Sequence, residues 1–335
     1  MILPLLIGSI SNPDVLIGRA RTVSVFYDQG VNLKNRELIA EDGINANPII
    51  APFFHNRICM YAKEIIGRYL SHFDGQYLFL KGDQAPPFRV PGMGQLYLID
   101  SIFLVIGLVA FLQLNGDFRN ILLGWTLVSV LPAAFTFMTP SSNRTFNVVI
   151  PLIILVSLGI ARLSQLTHNR RTNIYILLMI VLLYSINIWT GMKAYYIEIP
   201  KNNADVWNYG WKNLVSYVNS LNPNSFQNIV VSDTTGMPYI YFLLYNKVNP
   251  SDFYTNAVRT YLPDEFGYEH VEEYEKYVFR RDLIWKYQKD NLDENSLYII
   301  PAGETADDEK GIGEIYFPNN NAAIKLFVKK SDRSN

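Results

Sequence analysis

Five basic side chains and one carboxylate in this sequence have the chemistry to bind a phosphorylated ligand. Arg144 lies in a short polar stretch, residues 139–146, between two strongly apolar segments. A guanidinium group matches a phosphate with two parallel hydrogen bonds, so Arg144 is the leading candidate for a phosphate ligand. The other candidates precede the apolar segments; they are Lys81, Arg89, Arg57, His55 and Asp83.

Each candidate also has a structural interpretation. Basic residues at a membrane edge commonly contact lipid headgroups without a substrate role. Asp83 could act as an acid, a base or a metal ligand. An aspartate beside a glycine is also typical of a turn.

Four apolar segments must position these side chains. They span residues 95–114, 121–138, 147–163 and 174–192, and short polar loops separate them. About 20 apolar residues suffice for a helix to cross a bilayer. We therefore predict four full transmembrane helices within residues 95–194. A buried helical core is the alternative, but core helices normally carry a polar stripe.

The N-terminal part adds two membrane-related predictions. Residues 1–10 are apolar but too short to span, so they form either an interfacial segment or, as we favour, the end of a partial transmembrane helix. Residues 11–94 form a long polar segment, in which an amphipathic helix beginning at Arg57 is predicted to lie in the membrane interface.

Basic residues in the short loops predict the orientation, because cytoplasmic loops are enriched in lysine and arginine. Arg119, Arg162, Arg170 and Arg171 lie in two alternate loops, and Arg144 lies in the loop between them. This pattern places Arg144, residues 11–94 and residues 200–335 outside the cytoplasm. The predicted location is a multi-pass position in the cell membrane.

Residues 200–335 are predicted to form an α/β domain. Helical spacing covers residues 204–221 and 238–245, and strand-like runs cover residues 228–233, 277–280, 296–300, 314–317 and 324–328. The predicted fold is therefore an α-helical membrane domain with an outer loop region and a C-terminal α/β domain.

Composition excludes several functions. The 335 residues carry a net charge of −1 with 18% charged residues, which argues against a nucleic-acid binder. The single cysteine, Cys59, excludes an internal disulfide. No cofactor is expected, and nothing in the sequence indicates a divalent metal.

Several motifs, in order, resemble those of a known family. They are residues 55–57 (HNR), 69–73 (YLSHF), 77–83 (YLFLKGD), 90–98 (VPGMGQLYL), 140–144 (PSSNR), 207–212 (WNYGWK) and 230–254. This series resembles bacterial polytopic glycosyltransferases of the GT-C superfamily, relatives of the protein O-mannosyltransferases and the aminoarabinose transferase acting on lipid A.

The resemblance implies transfer of a sugar from a polyprenyl-phosphate carrier to a lipid, glycan or protein acceptor outside the cytoplasm. Family members use an acidic residue, typically an aspartate, in the first outer loop as general base. This sequence has no counterpart of that loop, so the chain is expected to be the C-terminal portion of a longer enzyme. No catalytic residue is assigned.

Two other functions are compatible with the sequence. A non-catalytic membrane anchor could present the α/β domain to a partner. A transporter would carry paired polar or broken helices at mid-membrane. The apolar segments contain few such features, which weakens the transporter interpretation most.

Overall fold

The computed structural model describes residues 23–42, 56–165, 169–234, 236–259, 269–289 and 292–328. The chain divides into two compact units, Met1–Ile199 and Pro200–Asn335. The predicted partial helix at residues 1–10, and His55, lie outside the described residues.

The first unit is built mainly from helices. Its α-helices are α1 (Gln29–Asp42), α2 (Arg57–Ser71), α3 (Asp100–Phe111), α4 (Gly116–Ala134), α5 (Val149–Gln165) and α6 (Arg170–Lys193). Its shorter described helices are 3-10 helices at Val25–Tyr27, Pro86–Phe88 and Phe146–Val148, and π-helices at Gln76–Lys81 and Ala194–Glu198. A short α-turn, Ile199–Asn202, spans the boundary between the two units.

Within the described ranges, two helical stretches are long and apolar enough to cross a membrane. They are Phe146–Gln165, which contains α5, and Arg170–Asn202, which contains α6. In the most apolar window of the second stretch, only 6% of the residues are buried. Leucine, isoleucine and methionine side chains therefore cover the surface of α6, as on a helix that faces lipid.

The two earlier predicted spans are also helical but less suited to spanning. The helix in residues 95–114 is only the 12-residue α3, because the backbone before it is engaged elsewhere. Leu96 N–H donates to Leu78 O at 2.8 Å, and the Asp100 carboxylate accepts from Tyr97 N–H at the start of α3. Helix α4 has 19 residues but includes Asp117, Arg119 and Pro132.

Helices α3 and α5 touch through their backbones. A Cβ atom added to Gly107 would lie 1.9 Å from Leu155 O, and one added to Gly159 would lie 1.9 Å from Phe103 O. Close backbone approach at small residues is a common way for helices to pack in a membrane, where the hydrophobic effect does not drive helices together.

Helix α2 is amphipathic, as predicted. The Asn56 side chain caps it by accepting a hydrogen bond from Cys59 N–H at 2.8 Å. Ile58, Ala62, Ile66 and Leu70, spaced by four residues, are exposed along one side. On the opposite side Tyr61 packs against Val25 and Val31. The interfacial position of this helix stays a prediction.

The second unit is a mixed α/β layer structure. Its α-helices are α7 (Trp211–Ser220), α8 (Tyr239–Tyr245), α9 (Pro250–Asn256) and α10 (Trp285–Gln288). Its strands are β1 (Ile229–Ser232), β2 (Val258–Arg259), β3 (Val271–Tyr274), β4 (Tyr277–Arg280), β5 (Leu297–Pro301), β6 (Gly313–Tyr316) and β7 (Ala322–Val328). Short 3-10 helices lie at Asp205–Trp207, Pro223–Ser225 and Ala302–Glu304.

The strands form one sheet of order β2-β3-β4-β1-β5-β7-β6. Central β1 is parallel to both neighbours, with Val231 opposite Phe279 of β4 and Ile299 of β5. The remaining pairs are antiparallel.

Both faces of this sheet are covered. Ile229 and Val231 of β1 pack in a cluster with residues of α7 and with Phe242 of α8. Val230, which points to the other face, packs with Trp285 of α10. The run of four buried residues in β1 is the pattern expected for a parallel strand with layers on both sides.

Candidate functional site

Residues 136–146, here called the 136–146 loop, connect α4 to the 3-10 turn that precedes α5. The loop contains Arg144, the leading sequence candidate. Side chains from α2, from its C-cap residue His72 and from residues 76–83 hold it in place.

Asp83 is buried, with 2% of its surface exposed, and its carboxylate accepts three hydrogen bonds. Oδ2 accepts from Ser142 N–H at 2.6 Å and from the Ser142 hydroxyl at 2.8 Å. Oδ1 accepts from Ala85 N–H at 2.8 Å. The carboxylate therefore anchors the 136–146 loop through neutral donors.

Gly82 permits the sharp backbone path into Asp83. Its φ angle is +68°, and an added Cβ would lie 3.0 Å from Met93 O. Other residues rarely adopt this conformation. The glycine thus belongs to the turn that delivers Asp83 to Ser142.

His72 is equally buried and makes the second anchor. Its Nε2 lies 3.1 Å from Ser141 N and its Nδ1 lies 2.8 Å from Arg68 O. The Ser141 N–H must donate, so Nε2 is the acceptor and Nδ1 carries the proton. This arrangement requires the neutral ring. Burial lowers the pKa of His72, while backbone hydrogen bonds and the nearby Asp83 act in the opposite direction.

Two guanidinium groups meet at Thr136. Arg144 Nη1 donates to Thr136 Oγ1 at 2.9 Å and to Phe137 O at 2.6 Å. Arg68 Nη1 donates to Thr136 O at 2.6 Å, and its other nitrogens contact Glu64 and Asp28 at 2.9 and 2.7 Å. Arg68 and Arg144 therefore both hold the backbone at the end of α4, and Glu64 and Asp28 neutralise the charge of Arg68.

Tyr77 packs beneath the loop. The Thr145 hydroxyl donates to Ser141 O at 2.7 Å, so the Tyr77 hydroxyl, 3.3 Å away, donates to Thr145. Burial raises the pKa of Tyr77 to about 12, so that it remains a neutral donor at physiological pH. Its ring lies edge-on to His72 at 5.5 Å.

The other predicted cations lie at the surface. Lys81 ends the π-helix before Asp83, and Arg89 packs beside Gly82, so both flank the Asp83 turn. Arg57 begins α2 and lies 5.5 Å over the Tyr61 ring. The structure therefore links Asp83 directly to the Arg144 loop and leaves Lys81, Arg89 and Arg57 exposed.

A cavity of about 470 Å³ lies in the same unit, between α3, α5 and α6. Its walls are largely apolar, with Ile153, Val156 and Ile160 of α5, and its polar end is formed by Tyr97, Asp100 and Tyr184. Arg144, Lys81 and Arg89 are not among the residues that line this cavity.

Asp100 is hydrogen-bonded at both carboxylate oxygens. One Asp100 oxygen accepts from the Tyr184 hydroxyl and the other from Tyr97 N–H at 2.8 Å. The carboxylate faces α6 and is satisfied by neutral donors, so a cation is not required.

Sequence reasoning missed Arg68 as a member of this site. Arg68 lies on the polar side of an amphipathic helix, where exposed arginines are common. Its partners Asp28 and Thr136 are 40 and 68 residues away in sequence. No local pattern could have indicated that convergence.

Within the described ranges, no group of three or more histidine, cysteine, aspartate or glutamate side chains is placed to hold a metal ion. Comparisons with protein-family models, curated proteins and solved structures find no match to this chain.

Proposed function

We propose that this chain is a membrane glycosyltransferase, or the C-terminal portion of one, that uses a polyprenyl-phosphate sugar as donor. The acceptor, a lipid, glycan or protein, is on the extracytoplasmic side. The proposal includes a multi-pass membrane topology, with the 136–146 loop and the C-terminal unit on that side.

The observation that carries the proposal is the guanidinium group of Arg144 at Thr136. Arg144 lies at a junction between helices whose surfaces are strongly apolar. Arg68 supports the same junction through Thr136 O, while Glu64 and Asp28 neutralise its charge. Arginine binds phosphate with charge-assisted hydrogen bonds, and a low-dielectric surrounding strengthens them. A phosphate attached to an isoprenoid needs both a cationic contact and an apolar surface, and this region offers the two together.

The anchoring of the loop supports a binding role for Arg144. Asp83 and His72 fix Ser142 and Ser141, which lie two and three residues before Arg144. A site of this kind needs a rigid loop, since preorganised donors lose less entropy on binding. Lys81 and Arg89 add positive charge near the same turn and would attract a phosphate electrostatically.

The test is a transfer assay in membrane vesicles that contain the protein produced from its complete reading frame. The donors are radiolabelled prenyl-phosphate glucose, mannose and N-acetylglucosamine. We expect release of prenyl phosphate from at least one donor, and a reduction of at least about tenfold in Arg144→Ala, the effect of losing about 1.4 kcal/mol.

Arg119→Ala is the matched control, because Arg119 lies near the opposite end of α4. It should retain the wild-type rate. Release from none of the donors would overturn the enzymatic proposal and favour a non-catalytic anchor. Equal rates in wild type and Arg144→Ala would remove Arg144 from the site.

A further inference from the structure

The central strand of the second unit ends in an unusual carboxylate. Asp233 follows β1 directly, and β4 and β5 run parallel to β1 on either side. The carboxyl ends of these three strands therefore share one edge of the sheet. In open α/β sheets, ligands bind at this edge, where the connections leave in different directions.

Asp233 is buried but only partly hydrogen-bonded. Its Oδ2 lies 3.0 Å from His270 Nδ1, and its backbone N–H donates to Arg280 O at 2.8 Å. Its Oδ1 is buried and has no hydrogen-bond partner among the described residues. A buried polar atom without a partner costs about 1–3 kcal/mol, and more when the group is charged.

Asp233 is one of three residues with such an atom within the described part of the chain. The other two, Trp285 and Ser296, contribute neutral donors and do not line the cavity described next. The cost of an unpaired carboxylate oxygen is explained if a ligand supplies the missing donor.

Asp233 and His270 line a cavity of about 390 Å³. The size lies in the range typical of small-molecule sites. Arg280 lines the cavity at the end of β4, and Arg281 and Asp282 line it directly after that strand. Glu272 and Glu273 line it on β3, and Phe279 supplies an apolar surface. Four carboxylates and two guanidinium groups therefore line one small space.

This mixture of charges selects the chemistry of the ligand. An anion would meet the carboxylates, and a cation would meet the two guanidinium groups. A neutral ligand with adjacent hydroxyl groups satisfies both, since a hydroxyl donates to a carboxylate and accepts from a guanidinium group. Saccharides have this pattern of neighbouring donors and acceptors.

We propose that the second unit binds a saccharide at the carboxyl end of β1, with the unpaired oxygen of Asp233 accepting a hydrogen bond from a sugar hydroxyl. His270 is a positioning residue, since its Nδ1 holds the other carboxylate oxygen. Arg280 and Arg281 donate to sugar oxygens. This site lies within the second unit and does not depend on the prenyl-phosphate proposal.

The test uses the full chain in lipid nanodiscs, because sugar-based detergents would compete. Saturation-transfer difference NMR with methyl glycosides of glucose, mannose, galactose and N-acetylglucosamine should show binding of at least one glycoside. We expect Asp233→Asn and Arg281→Met each to weaken that binding at least about fivefold, and Asp308→Asn to leave it unchanged. Asp308 is an exposed aspartate that does not line this cavity.

Arg281 is exposed, so Arg281→Met keeps the test valid if Asp233→Asn fails to fold. Binding of none of the glycosides, or equal binding by wild type and Arg281→Met, would overturn the proposal. Binding of inorganic phosphate in place of every glycoside would show an anion site and would also overturn it. If Asp233→Asn and Arg281→Met weaken glycoside binding while Arg144→Ala binds glycosides normally, this site is distinct from the donor site.

Discussion

Two buried aspartates, one in each unit, differ in how completely they are hydrogen-bonded. Asp83 accepts three hydrogen bonds, two of them from Ser142 of the 136–146 loop, whereas Asp233 keeps one oxygen without a described partner. A satisfied carboxylate stabilises the fold that surrounds it. An unsatisfied one at a strand edge costs stability, which is typical of positions retained for binding.

In the first unit, the residues that position the loop differ from the residue proposed to bind the ligand. Asp83, His72 and Tyr77 each hydrogen-bond the loop through one polar atom. Arg144 lies on the loop that they hold. The buried groups therefore define where Arg144 lies, and Arg144 is the group proposed to meet the ligand.

The largest effect is expected from Asp83→Asn. An amide places an N–H group against the donors of Ser142 or Ala85, so at least one charge-assisted hydrogen bond is lost and one donor is left unpaired. The opening free energy of the loop should fall by about 2 kcal/mol. Hydrogen exchange across residues 136–146, measured by mass spectrometry, should accelerate about 30-fold.

Asp74→Asn is the control, since Asp74 is exposed and close in sequence. Its exchange in the same peptide should match wild type. Exchange as slow in Asp83→Asn as in wild type would mean that Asp83 does not anchor the loop.

A smaller, pH-dependent effect is expected at His72. Burial lowers its pKa in the folded state, so below the ordinary value of 6.5 the unfolded chain takes up a proton more readily than the folded one. Stability of the loop should therefore fall as the pH drops below about 6.5, by at most about 1.4 kcal/mol per pH unit for one group.

The measurement is hydrogen exchange of the loop between pH 5 and pH 7.5, corrected for the intrinsic rate, in wild type and His72→Gln. The variant should lack the part of the pH dependence that His72 contributes. Identical pH profiles would contradict the assignment of a neutral His72.

The smallest effect is expected from Asp233→Asn. The asparagine oxygen can still accept from His270 Nδ1, and its amide group takes the position of the unpaired oxygen. Exchange in β1 and β4 should change by less than about twofold, because no described hydrogen bond of the carboxylate is lost. A loss of stability as large as in Asp83→Asn would show that both aspartates are structural.

Much of the second unit could be predicted from sequence. The runs at residues 228–233, 277–280, 296–300, 314–317 and 324–328 all contain strands, since β-branched and aromatic residues cluster there. Strands β2 and β3 were not predicted. β2 has two residues, and β3 has two exposed glutamates at its centre, so neither shows a strand pattern.

Backbone geometry limited the other predictions. The predicted helix at residues 204–221 is interrupted, because Asn208 and Gly210 adopt positive φ angles of 55° and 99°. The predicted span at residues 95–114 is shortened by pairing of its first residues with Tyr77 and Leu78. A hydropathy pattern reports neither the φ angles of single residues nor hydrogen bonds between distant parts of the backbone.

Some residues of the candidate site could be identified from the sequence, but the contacts between them could not. Arg144 was identified because a lone arginine between two apolar segments is visible in the sequence. Asp83 was identified as a polar group, but its bond to Ser142 joins residues 59 positions apart. The pair of Asp233 and His270 is separated by 37 positions and requires the sheet topology.

The central claim is that Arg144 binds the phosphate of a prenyl carrier, and a pair of affinities tests it most directly. Binding of farnesyl phosphate and of farnesol to the full chain in nanodiscs should differ by at least about tenfold in favour of the phosphate. That preference should be lost in Arg144→Ala, be partly retained in Arg144→Lys, and persist in Arg119→Ala. An undiminished preference in Arg144→Ala would contradict the account.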